Sequence, residues 1–136
     1  SAMMNVQSGD LFFFYGLLKQ GAAGSPDHID LAGGGEFLGP ASIRGVLYHL
    51  GDYPGVIEGE GVVQGMLYRL NDLNLMPLLD EFEDFDPDDA ARSMYLRRCT
   101  PLLDRNCLST NQQAWVYWYN FDIHDQQQIK SGNWPE

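Results

Sequence analysis

The acidic residues between positions 80 and 89 offer the clearest potential for chemistry in this chain. Segment 78–89 reads LLDEFEDFDPDD. Five apolar residues in and just before it recur at helical spacing: Leu75, Leu78, Leu79, Phe82 and Phe85. Glu81 and Glu83 fall on the two edges of this apolar face, whereas Asp84 points away from it. A carboxylate pressed against apolar groups and other carboxylates has a raised pKa, so it can act as a base near neutral pH. A solvated acidic helix face is the competing interpretation, and periodicity does not choose between Glu81 and Glu83.

Segment 12–21, FFFYGLLKQG, could bind a ligand through its backbone. Its aromatic start predicts a buried strand, and Gly16 permits a tight loop that ends near Gly21. Amides held in such a loop can point at a ligand. The simpler alternative is that Tyr15 only covers the core and Gly16 only makes a turn.

Other motifs that carry chemistry are incomplete. Asp84, Asp86 and Asp88 imitate the start of an EF-hand loop, but Asp89 replaces the required glycine and Tyr95 the bidentate glutamate. The sequence contains no Walker loop, no dinucleotide fingerprint and no Gly-x-Ser-x-Gly elbow, and its histidines lack metal-ligand spacing. We therefore expect no metal and no cofactor.

Composition narrows the class of protein. A length of 136 residues predicts a single domain, over 5–136, once Ser1 and Ala2 are set aside as a remnant of expression. The 8 basic and 19 acidic residues give a net charge of −11, which disfavours nucleic acid and anionic membranes as partners. No membrane span or signal peptide is recognisable, so we expect a cytoplasmic protein in which Cys99 and Cys107 are reduced. Composition does not predict the oligomeric state.

The elements that must position these segments follow from periodicity. We predict strands over 42–50, 62–70, 95–103 and 113–121, a short helix that begins at Ser25 and ends at the glycines 33–35, and a helix over 75–85. Strands 42–50 and 62–70 should lie side by side across a turn at 51–55, with Asn74 capping the longer helix. Strand 113–121 has bulky residues on both faces, which is typical of a strand covered on both sides. These elements predict a mixed α/β or α+β domain with a closed or nearly closed sheet.

Six segments together resemble the gamma-glutamylcyclotransferase-like family, over nearly the whole chain and in the family's order. They are Tyr15-Gly16-Leu17-Leu18 with Gly21, Tyr53-Pro54-Gly55, Val63-x-Gly65-x-Leu67-Tyr68, Leu79-Asp80-x-x-Glu83, Tyr95-x-Arg97, and Ala114-Trp115-Val116-Tyr117. The resemblance implies an α+β fold, a small mixed β-barrel of five to six strands with flanking helices. It also implies that Glu83, three residues after the Leu-Asp pair, is the catalytic acid.

The implied reaction converts a gamma-glutamyl amine, amide or peptide to 5-oxoproline and a free amine. Glu83 would act as general base, and residues Tyr15, Gly16, Leu17 and Leu18 would bind the substrate. Possible supporting residues are Tyr95, Arg97 and Tyr117, although core packing is favoured for both tyrosines and an ion pair with nearby acids for Arg97.

Three positions depart from the family's usual pattern, and a second function class stays open. Family members commonly have a small hydroxyl residue at Leu17, arginine at Lys19 and glycine at Asp84. Leu17 supplies an amide all the same, so its side chain bears on substrate choice, and the added charge of Asp84 could raise the Glu83 pKa further. The alternative is a non-catalytic domain that keeps the fold and pocket and binds a small molecule carrying an amine and a carboxylate.

Overall fold

The computed structural model describes residues 5–135. Their strands form one mixed sheet. Its strands and helices, in chain order, are β1 Leu11–Phe14, α1 Leu31–Gly34, β2 Gly35–His49, β3 Pro54–Leu70, α2 Met76–Phe82, β4 Tyr95–Leu103 and β5 Ser109–Tyr119. Two single 3₁₀ turns, Leu73–Leu75 and Ala90–Arg92, precede α2 and β4.

The five strands form a barrel-like ring in the order β1-β3-β2-β4-β5. The ring closes through a parallel pairing of β1 with β5 at Phe12 and Trp115, and all other pairings are antiparallel. Contact between β2 and β4 is also narrow, through Ile43 and Leu102. The predicted α+β fold with a small mixed sheet of five strands is confirmed.

Strands β2 and β3 form a hairpin, and both strands are longer than predicted. The two strands lie side by side as expected and end within one residue of the predicted positions 50 and 70, but they start seven and eight residues earlier than predicted, at Gly35 and Pro54. Two register shifts, between Phe37 and Gly39 and between Arg44 and Val46, let them continue through residues that do not alternate. The alternation criterion fails at such bulges, because one extra residue reverses the phase of the pattern.

Both predicted helices begin or end at other residues. No helix begins at Ser25; α1 starts at Leu31, where the Asp30 carboxylate accepts a hydrogen bond from the Gly33 amide at 2.9 Å. Asp72, rather than Asn74, caps the turn before α2 by accepting from the Asn74 amide at 2.9 Å. Helix α2 ends at Phe82, three residues before the predicted end.

The remaining strands lie close to their predictions. Strand β4 has the predicted bounds. Strand β5 was predicted over 113–121; it starts four residues earlier and ends two residues earlier. Successive residues of β1 enter two separate apolar clusters, with Phe12 and Phe14 in one and Phe13 in the other. Residues of β5 do the same, since Trp115 and Tyr117 belong to the first cluster and Val116 to the second. Both strands are therefore covered on both faces, as predicted for β5.

A left-handed residue terminates α2. Glu83 still donates its amide to the Leu79 carbonyl at 3.0 Å, but Asp84 has φ of 51°, in the region that favours glycine. The Asp84 carbonyl then accepts from the Met94 amide at 2.9 Å, which ties the helix end to the start of β4. Aspartate is among the few residues that tolerate this conformation.

The stability of variants at position 84 should therefore depend on how well the new residue tolerates a positive φ, and not on its charge. We expect Asp84→Gly to unfold at a similar or higher urea concentration than the wild type, and Asp84→Val to lose about 1–2 kcal/mol of stability. Equal stability of the glycine and valine variants in urea denaturation would contradict this account.

Candidate active site

A cavity of about 250 Å³ opens where β1, α2, β4 and the β2–β3 turn meet. Its walls are mainly aromatic and aliphatic side chains, and the carboxylates that line it are those of Glu83 and Asp84. The loop after β1 forms one wall and the end of α2 faces it. A small molecule can thus contact the backbone of the loop and the Glu83 carboxylate together.

The loop after β1 contributes Gly16, Leu17 and Leu18 to the cavity wall. Lys19 donates its amide to the Gly16 carbonyl at 3.1 Å, which closes a four-residue turn. Among residues 5–135, no protein acceptor binds the amides of Gly16, Leu17 or Leu18. A Cβ atom at Gly16 would lie 3.1 Å from ring carbons of Pro54, so glycine allows the loop to approach the β2–β3 turn. Free amides in such a turn form a ready site for a carboxylate or an oxyanion.

Glu83 carries the most perturbed carboxyl of the cavity. The residue as a whole is partly exposed, whereas its carboxyl group is surrounded by protein atoms in the cavity wall. Burial, and secondarily the charge of Asp80, raises the pKa of Glu83 to about 8. Within the described part of the chain no hydrogen bond stabilises its ionised form. The pKa of Glu83 therefore lies near neutral pH, which is the range in which a general base is most effective.

Three buried tyrosines surround Glu83 without donating to it. The Tyr15 hydroxyl donates to the Tyr117 carbonyl at 2.6 Å, and the Tyr95 hydroxyl to the Pro54 carbonyl at 2.7 Å. The Tyr117 hydroxyl donates to Asp80 Oδ1 at 2.6 Å. Burial raises the pKa of all three hydroxyls, and the Glu83 charge contributes to each shift. These hydroxyls connect strands, the loop after β1 and helix α2 around the cavity.

Arg97 forms an ion pair with Asp80 rather than with Glu83. Its Nε lies 3.1 Å from Asp80 Oδ1 and its Nη2 lies 3.2 Å from Oδ2. The guanidinium also lies over the rings of Phe85 and Trp115, at 5.3 and 5.4 Å from their centroids. The ion pair expected for Arg97 is thus present, and it leaves Glu83 without a cationic partner among residues 5–135.

Most of the residues predicted from sequence line this one cavity: Tyr15, Gly16, Leu17, Leu18, Glu83, Tyr95 and Tyr117. Arg97 does not line it, and Glu81 is exposed on the helix surface. Tyr53 and Pro54 also line the cavity, although they received no role from sequence. Their place among the six segments was the available signal. The like charge acting on Glu83 comes from Asp80, and not from Asp84 as expected.

The structure also bears on other candidate features. Among residues 5–135, no group of three or more His, Cys, Asp or Glu side chains could hold a metal ion. Cys99 and Cys107 are exposed free thiols. Within the same residues, no helix has the length and apolar character needed to cross a membrane.

Comparison with known proteins finds consistent relatives. Residues 12–136 match the family described as gamma-glutamyl cyclotransferase, AIG2-like. A gamma-glutamylcyclotransferase family protein of Citrobacter rodentium is 32% identical over 88 residues, or 65% of each chain. YtfP of Escherichia coli K12, which carries the same family description, is 31% identical over 100 residues, covering 73% of this chain and 76% of YtfP.

Solved structures agree with the sequence relatives. The solution NMR structure of E. coli YtfP has a TM-score of 0.64 at 26% identity, covering 93% of this chain and 96% of that one. The crystal structure of an AIG2-like protein from Mus musculus has a TM-score of 0.62 at 25% identity, covering 87% and 82%. The barrel-like ring of strands is thus the fold of a cyclotransferase-like protein. The chain belongs to the gamma-glutamyl cyclotransferase, AIG2-like family. Membership supports an enzymatic, cyclotransferase-type function on a small molecule.

The raised pKa of Glu83 predicts a pH-dependent effect of its removal. The pKa rises from 4.5 to about 8 on folding, so between these values the folded chain keeps a proton that the unfolded chain has lost. This contribution to stability is complete below pH 4.5 and is lost as the pH rises through 8. Relative to the wild type, Glu83→Gln should gain several kcal/mol of unfolding free energy between acidic pH and about pH 9, at about 1.4 kcal/mol for each pH unit of the pKa rise.

Urea denaturation at several pH values measures this gain. Glu81→Gln is the matched control, because the Glu81 side chain is exposed on the same helix. A Glu83→Gln effect that does not change with pH, or that equals the control's, would contradict the raised pKa.

Proposed function

We propose that this chain is a cyclotransferase that converts a gamma-glutamyl amine, amide or peptide to 5-oxoproline and a free amine, with Glu83 as general base. One observation carries the proposal: the Glu83 carboxyl and the free amides of Gly16, Leu17 and Leu18 line the same mainly apolar cavity. A base and a set of oxyanion or carboxylate donors are the two components that this chemistry requires.

The reaction needs a deprotonated amine. The α-amino group of the substrate is largely protonated at pH 7, because such amines have pKa values of about 8. Glu83 accepts its proton, and the freed nitrogen attacks the γ-carbonyl carbon of the same molecule. The new C–N bond closes a five-membered ring and places negative charge on the carbonyl oxygen. When the tetrahedral intermediate collapses, the bond to the leaving nitrogen breaks and protonated Glu83 returns its proton to that nitrogen. The ring nitrogen passes its own extra proton to the departing amine, so the products are 5-oxoproline and an ammonium ion, and Glu83 is again ionised.

The backbone amides supply binding without adding a side-chain charge. The amides of Gly16, Leu17 and Leu18 can bind the α-carboxylate of the substrate or the developing oxyanion. A chain folded over in this way holds its amine close to its own carbonyl, which can supply several kcal/mol of the barrier. Neither a metal nor a cofactor enters this mechanism, and a cytoplasmic location remains our expectation.

A panel of gamma-glutamyl amines, amides and peptides tests the base. We expect release of 5-oxoproline from at least one member, with kcat/KM rising with pH toward a plateau above about 8. Glu83→Gln should lower kcat by about 10²–10⁴-fold, because glutamine cannot accept the proton. Glu81→Gln should be unaffected. Turnover that persists in Glu83→Gln excludes the assigned base, and binding without turnover by the wild type supports a non-catalytic binding domain.

A proline substitution tests the Leu17 amide separately from its side chain. Leu17 is the second residue of the turn closed by Lys19 and Gly16, a position that accepts proline. Leu17→Pro removes one donor while keeping the turn, so kcat/KM should fall by about 10²–10³-fold. Leu17→Ala keeps the amide, so its kcat/KM should fall far less. Equal losses in the two variants would show that the side chain, and not the amide, matters.

A further inference from the structure

Resting on the proposed function, we propose that Asp80 is a positioning residue of this site. Arg97 and Tyr117 fix its negative charge one helical turn from Glu83, and this fixed charge sets how tightly Glu83 holds its proton. Asp80 does not line the cavity, so it acts through Glu83 and not on the substrate.

The Asp80 carboxylate is held by three donors. Two are the Nε and Nη2 groups of Arg97, which bind one carboxylate oxygen each, and the third is the Tyr117 hydroxyl at 2.6 Å. Such a bidentate pair has one preferred geometry. The side chains of Asp80 and Arg97 are only 15% and 11% exposed, so bulk water screens the cluster weakly.

The partner of Asp80 is itself immobilised. The Arg97 guanidinium lies over the rings of Phe85 and Trp115, at 5.3 and 5.4 Å from their centroids. Arg97 Nε and Nη2 both donate to Asp80. This pairing keeps the cation from neutralising Glu83. If it paired with Glu83 instead, the glutamate would lose its proton too readily to act as a base near neutral pH.

Helix α2 places the fixed charge close to Glu83. The two residues are three positions apart, and Glu83 directly follows the helix, where its amide makes the last helical hydrogen bond, to the Leu79 carbonyl at 3.0 Å. Side chains at this spacing are neighbours on a helix, about 5–6 Å apart at their Cβ atoms. After burial, the Asp80 charge is the cause that raises the pKa of Glu83.

The other titratable groups around the cavity do not replace Asp80 in this role. Tyr15, Tyr95 and Tyr117 face Glu83 from the end of β1, from β4 and from β5, where Tyr15 is the first residue after its strand. All three are neutral near pH 8 because burial raises their pKa values. Tyr53 lines the cavity from the β2–β3 turn. Asp84 lines it from the helix end, where it is exposed and therefore well screened.

An isosteric substitution tests the inference directly. Asp80→Asn keeps an acceptor for Tyr117 and removes the charge, so the Glu83 titration midpoint should fall by about one pH unit from its value near 8. The midpoint is measured by ¹³C NMR of the Glu83 side-chain carboxyl, in protein that circular dichroism shows to be folded. The acid limb of the kcat/KM profile should move by the same amount.

Two controls separate this role from a structural one. Glu81→Gln removes an exposed carboxylate from the same helix and should leave the midpoint unchanged. Asp80→Ser removes the charge with a smaller side chain and should lower the midpoint as Asp80→Asn does. A midpoint that stays near 8 in a folded variant without the charge overturns the proposal, even if stability and kcat fall. Because the titration needs no turnover, failure of Glu83 as the base is detected separately, by the Glu83→Gln assay.

Discussion

The burial of one carboxyl group without a stabilising partner is the constraint on which this site depends. Transfer of a carboxylate from water to an apolar cavity is unfavourable, so the group holds its proton to higher pH unless hydrogen bonds or a cation compensate. The hydroxyls of Tyr15, Tyr95 and Tyr117 bind other acceptors, and Arg97 binds Asp80, so none of these four donors stabilises the ionised form of Glu83. The protein thus places a group of high proton affinity beside a set of free backbone amides.

The fold makes this arrangement possible by closing its sheet. Pairing of β1 with β5 and of β2 with β3 brings the loop after β1 next to the β2–β3 turn, where Gly16 approaches Pro54. The short helix α2 then stops at a left-handed residue, Asp84, which turns the chain toward β4. Glycine is the least strained residue at such a φ, so the glycine that the family resemblance leads one to expect at this position has a backbone explanation. An aspartate at position 84 therefore affects the backbone of the turn more directly than it affects the charge of the site.

Local signals predicted some parts of the structure well. Strand β4 and the aromatic strand β1 have strong apolar patterns bounded by clear loop residues, and both were found where expected. Bulges in β2 and β3 and the early end of α2 are set by long-range pairing and by the φ of Asp84, which periodicity does not report. Helical extrapolation therefore left Glu81 and Glu83 equivalent, and the family resemblance favoured Glu83. The pairing of Arg97 with Asp80, 17 residues apart, depends on how α2 packs against β4 and could not be derived from the sequence.

The central claim concerns the proton affinity of one side chain, and a ¹³C NMR titration of Glu83 in the wild-type protein tests it most directly. A titration midpoint near pH 8 is the predicted result, because the carboxyl is buried beside the Asp80 charge and accepts no hydrogen bond from residues 5–135. A midpoint near the ordinary value of 4.5 would contradict the account, because Glu83 would then be a solvated carboxylate with no special capacity to take a proton from the substrate amine.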